Sequence, residues 1–210
     1  MTLRGLYAIT PEREETELLE SQVRAVLACA PRGWGALQYR NKLAMPEAQL
    51  SQARRLAAIA RERGVPFIVN DNVELALAVD ADGVHLGRDD GDLAQARQKL
   101  RGRILGVSCY NSFDAARSAV TAGADYVAFG SVFVSGTKPG AVHAPLDLFR
   151  QGRTLGVPLV AIGGITLENA PQVLAAGADA LAVIANLFDA QDIAAQARAF
   201  ATLFPAQSAL

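Results

Sequence analysis

Histidine and cysteine each occur only twice in this 210-residue chain, and tryptophan once. Cys29 and Cys109 stand far apart, with no CxxC and no His/Cys cluster. That argues against a disulfide framework and a structural zinc site, leaving only a chance pairing of the two, and it fits a reducing compartment. His85 and His143 have no ligand-spaced partner, so a zinc centre is not expected either. An excess of charge is also missing: 20 Lys and Arg face 21 Asp and Glu, for a net charge of −1. A nucleic-acid binder would need a basic face, whereas near-neutrality still leaves room for a basic pocket. No run reaches the ~18 apolar residues of a membrane span. The chain opens on a strand-like run, Leu3 to Ile9, rather than on a charged and apolar leader. A soluble, cytoplasmic protein is expected.

Aliphatic and small residues fill the space that aromatics leave. Hydrophobic residues make up 51% of the chain and aromatics only 6%, a balance that suits a parallel sheet covered by helices. Short β-branched or apolar runs recur near Gly5–Thr10, Ala36–Arg40, Phe67–Asn70, Gly83–Gly87, Ile104–Ser108, Tyr126–Gly130, Leu159–Gly163 and Ala180–Ile184. Between them lie amphipathic stretches such as Glu47–Arg63, Leu93–Leu100, Phe113–Ala122, Leu167–Ala176 and Ile193–Leu203. The joints repeat: Ala81-Asp82, Ala124-Asp125 and Ala178-Asp179 each lead into a strand, two of them after Gly123 or Gly177, where a left-handed helix cap is expected. Alternating units of this kind predict an α/β fold, a single (β/α)₈ TIM barrel over residues 1–210, with a doubly wound open sheet as the alternative.

In such a barrel the chemistry sits at the C-terminal strand ends, and polar residues cluster there. Alternation along the second strand turns Gln38 and Arg40 inward and Leu37 and Tyr39 toward the helices. An inward guanidinium needs an anion, either a carboxylate (Asp71 or Asp90) or a bound phosphate. Asp71 has two readings: a helix cap, with Glu74 closing a capping box, or a ligand. Paired with Asp90, at the end of the fourth strand, it would suit Mg²⁺ holding several waters and a phosphate. His85 reads as an interior hydrogen-bonding side chain, with contact to substrate as the alternative. The Gly130–Gly140 loop carries glycines, hydroxyls and Lys138, and is read as a phosphate cradle or as an ordinary surface loop. Gly163-Gly164 and Ile184-Ala185 fall where barrels bind phosphate through backbone N–H groups. Two anion pockets and one metal pair on one rim predict a diphosphate and a monophosphate as substrates.

The motifs QYRNK (38–42), VNDN (69–72), DGVHLGRDD (82–90), GVS (106–108), the Ser-Gly-Thr-Lys loop (135–138), AIGGI (161–165) and AVIAN (182–186), in this order, closely resemble thiamine-phosphate synthase from Tyr7 to Phe188. The resemblance implies a transferase of thiamine biosynthesis that joins an aminopyrimidine diphosphate to a thiazole phosphate and releases diphosphate. It assigns Gln38, Tyr39, Arg40, Asn41, Lys42, Asn70, Ser108 and Lys138 to the pyrimidine diphosphate. It gives Asp71 and Asp90 to Mg²⁺, and Ser135, Gly136, Thr137, Gly164, Ile184 and Ala185 to the thiazole phosphate. Arg40, Lys42 and Lys138 become the catalytic cations, stabilising charge on the leaving group. Asn41, Asn72, Arg88 and Ser135 depart from the usual residues of the family. The competing activities are a thiazole tautomerase, which needs no diphosphate site, a Schiff-base aldolase using Lys138, and a non-enzymatic sensor of thiamine phosphate. The expected partners are small molecules, with neither nucleic acid nor membrane, and a homo-oligomer is compatible with the sequence.

Overall fold

The computed structural model describes residues 3–30, 34–87, 90–134 and 142–204, except for the side chain of Cys29. Eight parallel strands close into a barrel in sequence order: β1 (Gly5–Ile9), β2 (Trp34–Tyr39), β3 (Phe67–Asn70), β4 (Gly83–Leu86), β5 (Ile104–Tyr110), β6 (Tyr126–Phe129), β7 (Leu159–Ile162) and β8 (Ala180–Val183). The circle closes where Gly5 to Ala8 pair with Ala180 to Val183. An open doubly wound sheet would leave two edges there.

Helices α1 (Thr16–Val26), α2 (Pro46–Glu62), α3 (Val73–Ala78), α4 (Leu93–Leu100), α5 (Phe113–Thr121), α6 (Asp147–Gly152), α7 (Ala170–Ala176), α8 (Ala185–Phe188) and α9 (Ile193–Thr202) wrap the outside. Their ends follow local chemistry. Pro46 opens α2, where its missing N–H costs nothing. Asp92, Ser112 and Asp192 cap α4, α5 and α9 by accepting backbone N–H groups. Gly177 ends α7 at φ 114°, and Gly123, at φ 95°, follows α5, the left-handed positions that the spacing anticipates.

The period of two along each strand divides the core into two. Tyr7, Ile9, Ala36, Ile68, Tyr126, Ala128, Val160, Ala180 and Ala182 fill the barrel interior. The residues between them, such as Leu6, Leu37, Tyr39, Val69, Val84, Val127 and Leu181, join a larger layer beneath the helices. Among the described residues Cys109 is a free thiol in that outer layer, and burial pushes it up to about 12.

The repeated Ala-Asp joints prove to be clasps at the N-terminal end of the barrel. The Asp82 carboxylate accepts the N–H of Phe67 at 2.7 Å, while its own N–H donates to the Phe67 carbonyl at 2.9 Å. Asp125 does the same with Leu105 at 2.7 and 2.7 Å, and Asp179 with Leu159 at 2.9 and 2.8 Å. Each clasp ties the start of one strand to the start of the next, satisfying two backbone groups that the ladder leaves over. Strands β3–β4, β5–β6 and β7–β8 are fastened in this way. Strand β2 is preceded by Gly33, which has no carboxylate to offer.

Candidate active site

At the opposite end the strands deliver polar side chains into a cavity of about 910 Å³. Gln38, Arg40, Lys42, Asn70, Asp71, Asp90, Ser108, Gly164, Ile184 and Ala185 all line it. Thr10 continues the β1–β2 ladder past the strand ends: its hydroxyl donates to the Arg40 carbonyl at 3.1 Å and accepts the Arg40 N–H at 2.9 Å. The backbone that carries Arg40 and Lys42 is therefore held where both can reach the mouth.

The ion pairs differ from the expectation. Arg40 meets neither Asp71 nor Asp90. Its guanidinium pairs with Glu12 at 2.8 Å, with the two side chains 20% and 27% exposed. Lys42 takes Asp71 instead, Nζ to Oδ2, at 2.6 Å. Glu12 escapes sequence reasoning because its partner lies 28 residues away on another strand end, with no local spacing to betray it.

Asp71 is not a helix cap. Asn72 caps α3, accepting the Leu75 N–H at 2.9 Å, and Glu74 pairs with Lys99 at 2.6 Å rather than closing a capping box. Asp71 itself sits at φ 62°, with its N–H donated to the His85 carbonyl at 2.8 Å. Asp90 leaves the capping of α4 to Asp92 and accepts the Gly87 N–H at 2.7 Å. A Cβ at Gly87 would fall 2.6 Å from that carboxylate oxygen, so the carboxylate sits where only glycine leaves room. Burial, then the hydrogen bond and charge of Asp71, push the Asp90 carboxyl above its ordinary range, against the opposing pull of Gly87 and Lys42. Two carboxylates pressed together in this way are a site short of positive charge.

Among the described residues no three His, Cys, Asp or Glu side chains gather to enclose a metal by themselves. Two carboxylates that leave the remaining positions to water and phosphate oxygens are the donor set Mg²⁺ accepts and Ca²⁺ does not favour. The pair fits the group.

Tyr39 and Asn41 do not reach the cavity with their side chains. Tyr39 points outward by alternation, its hydroxyl donating to Gln52 at 2.9 Å beneath α2. Asn41 is 5% exposed. Its amide donates to the Arg13 carbonyl and to Gln52, while its side-chain oxygen accepts the Leu43 and Ala44 N–H groups. It shapes the turn after β2, which is a physical account of an uncharged residue at this position. Ser135, Gly136, Thr137 and Lys138 lie outside the described residues, as does Arg88.

A thiamine monophosphate synthase family model matches residues 6–187. The chain belongs to the thiamine-phosphate synthase family. It is 60% identical over 206 residues to the thiamine-phosphate synthase of Aromatoleum aromaticum, covering 97% of this chain and 98% of that one. It is 54% identical over 208 residues to that of Bordetella pertussis, covering 95% and 94%. A thiamine phosphate pyrophosphorylase structure from Pyrococcus furiosus superposes with a TM-score of 0.84 at 34% identity, over 96% of each chain. A 3-hexulose-6-phosphate synthase structure, at 17% identity and a TM-score of 0.70, shares the fold alone.

Two tyrosines that the sequence did not single out complete the site together with His85, whose expected interior hydrogen bonds are present. Tyr7, from β1, lines the cavity, and its hydroxyl receives the Gln38 amide at 2.9 Å and lies 2.6 Å from that of Tyr126. His85 Nδ1 lies 2.9 Å from the Tyr126 hydroxyl, and its Nε2 lies 2.8 Å from Ser108 Oγ. Burial drives His85 down to about 4, with Asp90 opposing, so the ring is neutral at pH 7. Alternation was the available signal: Tyr7 is in phase with Ile9, and Tyr126 with Ala128.

Proposed function

We propose that this family member condenses an aminopyrimidine diphosphate with a thiazole phosphate, giving thiamine phosphate and diphosphate, with Mg²⁺ held by Asp71 and Asp90. The observation that carries the reading is the meeting of the crowded Asp71–Asp90 pair with Arg40 and Lys42 on one cavity wall. A tautomerase would need neither the carboxylate pair nor the cations.

Gln38 and Ser108 would take the pyrimidine, and Arg40 and Lys42 the diphosphate. Asn70 is placed to join them, and Lys138 belongs to this group by family resemblance. In the reaction the bond from the pyrimidine methylene carbon to the diphosphate oxygen breaks, and its electron pair leaves with the diphosphate. The electron-rich aminopyrimidine spreads the positive charge left on carbon, and the thiazole nitrogen then supplies the pair for the new C–N bond. No proton has to be removed for this, which agrees with a neutral, hydrogen-bonded His85. When bound, Mg²⁺ neutralises part of the charge that grows on the leaving diphosphate. Arg40 and Lys42 first exchange Glu12 and Asp71 for phosphate oxygens, and so meet that charge at close range. Gly164, Ile184 and Ala185, with Ser135, Gly136 and Thr137, are assigned to the thiazole phosphate. Gly164 supports its part by geometry: it sits at φ 61°, and a Cβ there would fall 2.5 Å from the Val134 carbonyl.

The reading treats residues 1–210 as one barrel domain, acting on small molecules in the cytoplasm. No described helix is long and apolar enough to cross a membrane. The test is turnover of the two phosphorylated substrates with Mg²⁺ and after its removal by chelation. Product that appears only with the metal supports the proposal. Folded protein that forms none under either condition overturns it.

A further inference from the structure

Five side chains from five strands form one hydrogen-bonded chain across the barrel floor: Gln38, Tyr7, Tyr126, His85 and Ser108. Tyr126 stands at its centre. It is fully buried, does not line the cavity, and its hydroxyl meets Tyr7 and His85, which do. Its ring occupies a notch made by Gly106, where a Cβ would come within 1.9 Å of the Tyr126 Cζ.

The protons in this chain can be counted. The Gln38 N–H can only donate, so the Tyr7 hydroxyl accepts from it. Tyr7 is 1% exposed, and within the chain the one partner left for its own proton is the Tyr126 oxygen. Tyr126 then donates to His85 Nδ1, which must accept, so the ring's proton stands on Nε2 and is donated to Ser108. The surplus proton comes to rest on Ser108, which is partly exposed at the cavity wall. The reverse order would strand it on the buried Tyr7 phenol, at the cost of an unsatisfied donor.

We infer that Tyr126 is a positioning residue that carries the direction set at Gln38 and Tyr7 across to His85, and so pairs a Gln38 carbonyl that accepts with a Ser108 hydroxyl that donates at the cavity wall. That pattern selects a ring nitrogen beside an amino group. An oxo-substituted ring, with N–H beside C=O, offers the reverse. The inference rests on the reading of Gln38 and Ser108 as pyrimidine contacts, and it adds the selection of amino over oxo rings together with the residue that sets it.

Tyr126→Phe removes the hydroxyl and leaves the ring in the Gly106 notch. Calorimetry would compare binding of the aminopyrimidine without its diphosphate, its oxo counterpart, and inorganic diphosphate with Mg²⁺. The wild type should prefer the amino ring, and the variant should lose about tenfold of that preference while inorganic diphosphate binds as before. A merely structural role would weaken all three ligands together. Nitrogen-15 NMR of wild-type His85, assigned against His143→Gln, should show the proton on Nε2, and Tyr126→Phe should give a mixture of tautomers. A wild-type proton on Nδ1, or a preference unchanged in the variant, overturns the inference. The wild-type spectrum decides the direction even if Tyr126→Phe does not fold. A wild type that prefers the amino ring yet makes no product would count against the proposed reaction alone.

Discussion

The two ends of the barrel use aspartate for opposite purposes. At the N-terminal end Asp82, Asp125 and Asp179 each accept a backbone N–H and return one of their own, so their charge is spent on fastening strands. At the C-terminal end Asp71 and Asp90 are pressed against each other, Asp71 in a left-handed backbone and Asp90 beside a glycine that makes room for its carboxylate. The first arrangement satisfies groups that folding would otherwise strand. The second accumulates like charge that folding alone has no use for. Strain of that kind points to a ligand, whereas a clasp points to stability.

Four substitution experiments would break or sharpen the contrast. The largest effect is expected at the C-terminal end: Asp71→Asn and Asp90→Asn should each lower Mg²⁺-dependent turnover by about 10²–10³-fold. For Asp90→Asn the urea midpoint should not fall, because a repulsion is relieved and the Gly87 N–H keeps an acceptor. A marked loss of stability there would show that the pair is structural.

Next comes the clasp. Asp125→Ala strands the Leu105 N–H and removes the partner of Arg97, which is held at 2.9 Å. It should cost about 2 kcal/mol in denaturant unfolding, with turnover per folded molecule unchanged. Lost turnover in a stable variant would mean that the ends are not independent. A smaller difference separates Asn72 from its neighbour. Asn72→Ala should cost about 1 kcal/mol through the lost cap. Asp71→Gly, which accepts the left-handed backbone without a side chain, should cost no cap energy, and an equal loss in the two variants would return Asp71 to a capping role.

The smallest effect is a slope. His85 takes up its proton near 4 in the folded chain rather than near 6.5, because burial disfavours the imidazolium, with the Asp90 charge opposing. Between those values the unfolded chain binds a proton that the folded one does not. His85 therefore gives its full stability above about pH 6.5 and loses it as the pH falls through the window toward 4. In metal-free buffer His85→Gln should lessen the difference in unfolding free energy between pH 7 and pH 4.5. An unchanged difference would remove His85 from the account.

The barrel was legible because its units repeat, and strand alternation placed Gln38, Arg40 and Ser108 inward with nothing further needed. The Ala-Asp echo was visible as pattern, but its purpose was not, since the N–H it serves lies 15 to 20 residues upstream. Arg40 showed the limit of reading charges in isolation: an inward guanidinium demands an anion, yet nothing local distinguishes Glu12 from Asp71 or Asp90. The cap at Asn72 was displaced by one residue because Asp71 first turns the chain into the left-handed region. Tyr126 carries no motif at all, and only the closure of the barrel brings it against Tyr7 and His85.

The conformation of Asp71 also limits how this position can drift. At φ 62° the backbone is open to glycine, asparagine and aspartate and penalises longer or branched residues. Of those three only aspartate carries a charge. Glutamate would restore the charge and lose the conformation, asparagine the reverse. Fold and chemistry thus leave one letter of the alphabet at residue 71, each having discarded what the other would tolerate.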